Sequence, residues 1–171
     1  MKFIKNSAYY INIFFIYSIL GFLFESFLMI SAGNHFFNSG VLYGPWAFIY
    51  GIAIFVLILL DKFLKERKLQ KWLEIVLFYM GATLLMTLIE FTGGMLIEKI
   101  FHTVYWDYTN MHNHYGHYIC LEISLFWGLF ATLVNYLLTP LTKKIAKKTP
   151  WYITIILIIL FVIDIIATII N

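Results

Sequence analysis

The chain has 171 residues, of which 62% are hydrophobic, 20% aromatic and only 12% charged, with a formal net charge of +3 and a mean hydropathy of +0.85. A water-soluble domain carries about 25% charged residues, so this composition cannot coat a surface that faces water. It excludes a cytosolic globular enzyme, a disordered chain and a secreted scaffold built on disulfides; the one cysteine, Cys120, forms no internal bridge and no multi-cysteine zinc site. With three prolines and ten glycines there is no room for a flexible linker. The reading is an all-α, polytopic membrane protein, a single transmembrane domain over residues 1–171.

A spanning helix needs about 20 mostly apolar residues, and five stretches qualify. They run over about 8–31, 42–60, 72–97, 118–138 and 151–170. The apolar run of the first exceeds the 7–15 residues, roughly, of a signal-peptide core, so it reads as a span and not as a cleaved leader. Trp46, Trp72, Trp106 and Trp151 fall near the predicted interfaces, where indoles prefer to sit.

The basic residues orient these spans. Lys2 and Lys5 precede the first, Lys62, Lys65, Arg67, Lys68 and Lys71 separate the second and third, and Lys143, Lys144, Lys147 and Lys148 separate the last two. Only Lys99 falls on the other side. The positive-inside rule makes the lysine-bearing side cytoplasmic, with the N-terminus inside and the C-terminus outside. These clusters meet anionic lipid headgroups; they do not signal nucleic acid.

In that topology the acids collect in the outer half. Glu25 and Glu90 lie about 9 Å deep at 1.5 Å per residue, Glu122 about one turn deep, and Asp164 about as deep as Glu25, while Glu98 and Asp107 sit at the rim. An ionised Asp at mid-span costs about 2.5–3.5 kcal/mol, so these groups must face the bundle interior, pair with a partner, or carry a proton. Six acids against Lys99 leave a negative surplus that suits a proton, a metal ion or a cationic ligand. Glu90, Gly94 and Glu98 share one helical face. For each acid the alternative is a polar contact that fixes helix packing, and for Asp164, isolated in an Ile-rich helix, that is the better reading.

All five histidines lie in or beside the two external loops. Loop one, residues 34–46, carries Asn38, Gly40, Tyr43 and Gly44. Its glycines permit tight turns or a short re-entrant dip, and Pro45 suits a first helical turn. Loop two, residues 102–117, holds Trp106, Asp107, Tyr108, Asn113 and His117. Its histidines and Asp107 offer metal donors, but their spacing matches no zinc signature, and no metal site is assigned. No Walker A, Gly-x-Ser-x-Gly or His-Glu-x-x-His motif is present; catalytic residues and cofactors stay unassigned.

The two loops carry a resemblance. Asn38-Ser39-Gly40-Val41-Leu42-Tyr43-Gly44-Pro45, then Phe48-Ile49-Tyr50-Gly51, then Trp106-Asp107-Tyr108-Thr109 form its first half. Asn113-His114-Tyr115-Gly116-His117-Tyr118-Ile119-Cys120-Leu121 and Ser124-Leu125-Phe126-Trp127-Gly128 complete it. Together they resemble the putative ABC-transporter type IV (CmpB-like permease) family of bacterial membrane proteins, over nearly the whole chain. Gly21, Glu25, Glu90 and Glu98 match its intramembrane Gly and Glu positions. Two arginines of the family pattern are replaced here, by Ser39 and, roughly, by His117, so the fixed counter-charges differ. The resemblance implies a multi-pass protein of a bacterial cytoplasmic membrane and a role in transport; it names no solute.

Three readings of function follow. The first is a transport-related membrane protein that binds a small polar or cationic solute, or a proton, from outside, as a homo-oligomer or with separate ATPase subunits. Its binding residues would be Glu25, Asn38, Gly40, Tyr43, Gly44, Glu90, Glu98, Trp106, Asp107, Tyr108, Asn113, His117 and Glu122. The second is an intramembrane enzyme acting on a lipid or envelope precursor, with Glu90, Asp107 or His117 as acid or base. The third is a non-catalytic partner or immunity subunit whose polar cluster is buried glue. Five spans are few for a complete transporter, so a homo-oligomer or partner subunits are expected beside membrane lipids, and no nucleic acid.

Overall fold

A computed structural model describes residues 2–31 and 41–170, with side chains from residue 7 onward. The described residues are mostly helical, with one short hairpin. Helix α1 covers Lys2–Ser31, α2 Phe48–Glu66, α3 Lys71–Phe101, α4 Leu121–Leu133, α5 Thr139–Lys148 and α6 Trp151–Ile170. Strands β1 (His114–Tyr115) and β2 (Ile119–Cys120) pair antiparallel, His114 opposite Cys120. Gly116 makes their turn at φ +61, a backbone conformation that glycine adopts without cost.

Among the described residues four helices are long and apolar enough to cross a membrane: Ser7–Ser31, Lys71–Phe101, Leu121–Lys148 and Trp151–Ile170. The predicted spans at 72–97 and 151–170 thus appear nearly as drawn. Three boundaries moved. The stretch 41–47 is not helical, so α2 starts at Phe48 and Pro45 lies in the turn ahead of it, not in its first turn. The residues before α4 form the hairpin, which places Glu122 in the first turn of α4 and not a full turn deep. Finally, α4 does not stop near 138. It runs through a widened π turn, Val134–Leu138, directly into α5.

Pro140 explains that widening. A proline inside a helix lacks the N–H for its own i−4 bond, and its ring collides with the carbonyl four residues back, here Tyr136. A π turn adds one residue to the register and relieves the collision. The hydroxyl of Thr139 then donates to the carbonyl of Val134, five residues earlier, at 3.1 Å.

The chain falls into two compact units, Met1–Phe55 with Pro140–Asn171, and Val56–Thr139. In the first, α1 packs on α6. Gly21 and Gly51 keep α1 and the start of α2 close: a Cβ on Gly21 would run into the ring of Tyr50, and one on Gly51 into Ser18 and Phe14. Small residues permit such crossings between apolar helices. Phe15, Leu42 and Trp46 form a buried cluster with Phe161. In the second unit α3 packs mainly on α4, and Gly128 seats directly on the side chain of Thr83.

Candidate functional site

Each unit carries buried polar groups, and in the first the hydroxyls of Ser18, Ser26 and Thr168 are buried without a hydrogen-bond partner. In the first unit, Tyr50 donates to Glu25 Oε1 at 2.8 Å. The N–H of Gly44 donates to Asp164 Oδ2 at 2.9 Å, so Asp164 anchors the turn ahead of α2, as expected of a packing contact. Asn12 is buried between Thr154, whose hydroxyl donates at 2.8 Å, and the carbonyl of Ala146. Tyr43 is exposed. His35, Asn38, Ser39 and Gly40 lie outside the described residues, as does most of the suggested re-entrant dip.

In the second unit, the hairpin end of α3 and α4 gathers most of the remaining candidates. Glu90 is only 8% exposed. Its Oε1 accepts from the Tyr108 hydroxyl at 2.6 Å and from the Trp127 indole N–H at 3.3 Å. Its Oε2 is buried with no hydrogen-bond partner, and so are the Trp106 indole N–H and the Ser124 hydroxyl. His117 Nε2 is a fourth such atom of this unit, and an unmet buried polar group costs about 1–3 kcal/mol.

One turn along from Glu90, Gly94 lies under two rings. A Cβ there would sit 2.6 Å from Tyr118 and 3.1 Å from Trp106. One turn further, Glu98 accepts a hydrogen bond from the Tyr118 hydroxyl, and the His117 ring nitrogen Nε2 stands 3.5 Å from it. The predicted Glu90–Gly94–Glu98 face therefore exists and is covered by loop-two aromatics. The hydrogen bond that the Tyr118 phenol donates to Glu98 raises it above its ordinary range, because that bond exists only while the phenol keeps its proton. His117 faces Glu98 and not Glu90. Its carbonyl receives the N–H of Tyr108 at 3.0 Å, which helps hold the Tyr108 hydroxyl on Glu90.

Two candidates serve the loop. Asp107 Oδ1 accepts the N–H of Thr109 at 2.9 Å, a tight local turn. That bond holds the carboxyl below its usual range. Glu122 ties the hairpin to α4, accepting from Asn113 at 2.6 Å and from the Cys120 thiol at 2.7 Å; a carboxylate in a first helical turn also suits the helix dipole. Among the described residues no group of three or more His, Cys, Asp or Glu side chains is placed to hold a metal ion.

The lysine-bearing end of the same unit holds a cluster that the sequence reading missed. Asp61 and Asn135 are buried. Asp61 pairs with Lys65 at 2.7 Å and accepts from Asn135 at 2.9 Å. Buried Glu74 accepts from Lys71 at 2.8 Å and from Tyr136 at 3.1 Å, and Lys71 lies over the Tyr136 ring. Asn135 and Tyr136 both belong to the π turn. The available signal was an Asn inside an apolar run shortly before a proline.

The sequence profile of the putative ABC-transporter type IV family matches residues 12–169. The chain belongs to this family. The match takes in Glu25, both loops, the Glu90–Glu98 face and the π turn. No curated protein and no solved structure matches the chain. Family membership and four helices of spanning length together make it a multi-pass, transport-related membrane protein.

Proposed function

We propose that the protein binds a small polar or cationic solute, or a proton, at a site around Glu90 in the outer half of a bacterial cytoplasmic membrane. The observation that carries this reading is the buried Glu90 carboxylate, with one oxygen held by Tyr108 and Trp127 and the other unmet. Glu98, Trp106, Tyr108 and His117 line the approach. Asp107, Asn113 and Glu122 brace the loop that carries it. Glu25, Tyr43 and Gly44 act in the other unit, where Glu25 and Gly44 are held by Tyr50 and Asp164.

In this reading α2 is a fifth span, with the N-terminus inside and the C-terminus outside. Its residues from Phe48 to Leu60 are free of charge, and Asp61 opens the lysine-rich segment that follows. If α2 stayed on one side, Lys62–Lys71 and Lys143–Lys148 could not share a side with Lys2 and Lys5, against the positive-inside rule. The whole chain then acts as one transmembrane domain among membrane lipids. Five spans are few for a complete transporter, and the family name points to an ABC system. The chain therefore works as a homo-oligomer or alongside separate ATPase subunits.

The test replaces Glu25, Glu90 and Asp107 one at a time by their amides, with folding read in detergent and solute-dependent or pH-dependent signals read in proteoliposomes. Glu90→Gln should stay folded and lose the signal, while Glu25→Gln and Asp107→Asn keep most of it. Loss of folding in all three variants would return these acids to the role of packing contacts.

A further inference from the structure

We propose that the ligand at Glu90 is an organic ammonium ion, and that the open cleft beside Glu98 is its vestibule. The inference rests on the solute-site reading above and narrows its chemistry. Glu90 Oε2 is the one carboxylate oxygen of the group that is buried and unmet, so the site balances a single positive charge. The side chains around it are aromatic: the Tyr108 hydroxyl and the Trp127 indole N–H both donate to its other oxygen, Oε1, and Trp106 covers Gly94 one turn away. Aromatic faces attract weakly hydrated cations, and alkylammonium ions are the usual occupants of such surroundings.

The same residues disfavour the other cations. A metal ion needs several oxygen, nitrogen or sulfur donors, and the indole N–H groups here donate only. A proton needs no aromatic wall. The Ser124 hydroxyl, buried and unmet one turn before Trp127 on α4, can accept from an ammonium N–H.

An open cleft of about 520 Å³ is lined by Met95, Glu98, Lys99, His102 and Tyr118. Tyr118 lines this cleft and, with Trp106, packs over Gly94, one turn from Glu90. A ring rotation at Tyr118 opens the way, and its hydroxyl bond to Glu98 holds the closed position.

The experiment titrates the full chain in nanodiscs of neutral lipid with tetramethylammonium and methylammonium chloride, against potassium chloride at equal ionic strength. Tryptophan fluorescence and calorimetry report binding. A saturable response to an ammonium salt, absent with potassium, is expected. Glu90→Gln should weaken it at least tenfold, and Trp127→Phe by roughly tenfold, within the range of a desolvated cation–π contact. No saturable response in the folded wild type, or equal affinity in wild type and Glu90→Gln, overturns the ammonium assignment. If Glu90→Gln fails to fold, an unchanged affinity in Trp127→Phe overturns it, and a weakened one supports it. A pH titration of the same fluorescence separates the two levels. A response that depends on Glu90 without any ammonium response keeps the broader solute-or-proton reading, and a response indifferent to Glu90 removes both.

Discussion

The two ends of the α3–α4 pair use the same kinds of residue to opposite effect. At the lysine end, buried Asp61 and Glu74 each have a lysine and a neutral donor. At the hairpin end, buried Glu90 has two neutral donors, no lysine, and an oxygen left over. Breaking a satisfied buried pair leaves charged or polar groups stranded, whereas neutralising an unbalanced buried carboxylate relieves desolvation. A buried acid therefore indicates a binding site only where its partners do not suffice. The lysine end is a joint, and the hairpin end holds unused capacity.

The most forceful way to break this contrast is to remove Asp61. Asp61→Ala should cost about 2–4 kcal/mol, because it strands Asn135 in the π turn and frees Lys65. SDS-titrated unfolding in mixed micelles measures it. In the same assay Glu90→Gln should move stability by less than about 1 kcal/mol, in either direction. Equal losses in the two variants would erase the distinction between joint and site.

Between the two ends, Gly128 sets how closely α3 and α4 approach, since any Cβ there meets Thr83. Gly128→Val should cost about 1–3 kcal/mol through overpacking and disturb both ends, which unfolding and tryptophan fluorescence would show together. An unchanged fluorescence at Trp106 and Trp127 would mean that the hairpin end keeps its geometry without this crossing.

A smaller effect sharpens the lysine end. Glu74→Gln keeps an acceptor for Tyr136 but loses the charge that Lys71 pairs with, and should cost about 1 kcal/mol. Lys71→Met should cost a similar amount if the pair is what matters, and the double variant less than the sum.

The smallest effect is acid sensitivity of the loop. Asp107 is held below its usual range by the Thr109 N–H, so its contribution is complete above the ordinary carboxyl range and disappears as pH falls through the lowered value. Trp106 fluorescence followed from about pH 6 to pH 2 should show a step below the ordinary Asp value of about 3.9, and Asp107→Asn should remove it. At the alkaline side the sign reverses. The raised Tyr118 phenol contributes fully below its ordinary range and loses that contribution as pH climbs through the raised value.

Long apolar runs made α3 and α6 readable from the sequence, because nothing but a helix satisfies so many backbone groups without water. Composition misled at 41–47, where Leu42, Trp46 and Ala47 are buried as core but Gly44 and Pro45 keep the backbone out of the helix. It also misled at Thr139-Pro140, where a proline that usually ends a helix was absorbed by a π turn. At the site, helical spacing alone put Glu90, Gly94 and Glu98 on one face, and the loop aromatics were visible as a group. Spacing could not tell that Tyr108 reaches Glu90 while His117 reaches Glu98, because those pairings depend on the hairpin fold. Asp61, Asn135 and Tyr136 stayed hidden for another reason: beside a run of lysines, an acid reads as a surface charge.

The π turn has one more consequence. It stores one residue more than a regular helix of the same span, so each side chain beyond it is turned by about 100° about the axis from where an unbroken α-helix would put it. Deleting a single residue between Val134 and Leu138 would close the widened turn and return the Pro140 ring to its collision with the carbonyl four residues back. It would also rotate the helix: the apolar and polar stripes of Leu121–Lys148 would fall out of phase, and Asn135 and Tyr136 could not both keep aim at Asp61 and Glu74. In this segment the count of residues, more than their identity, determines which way the helix faces.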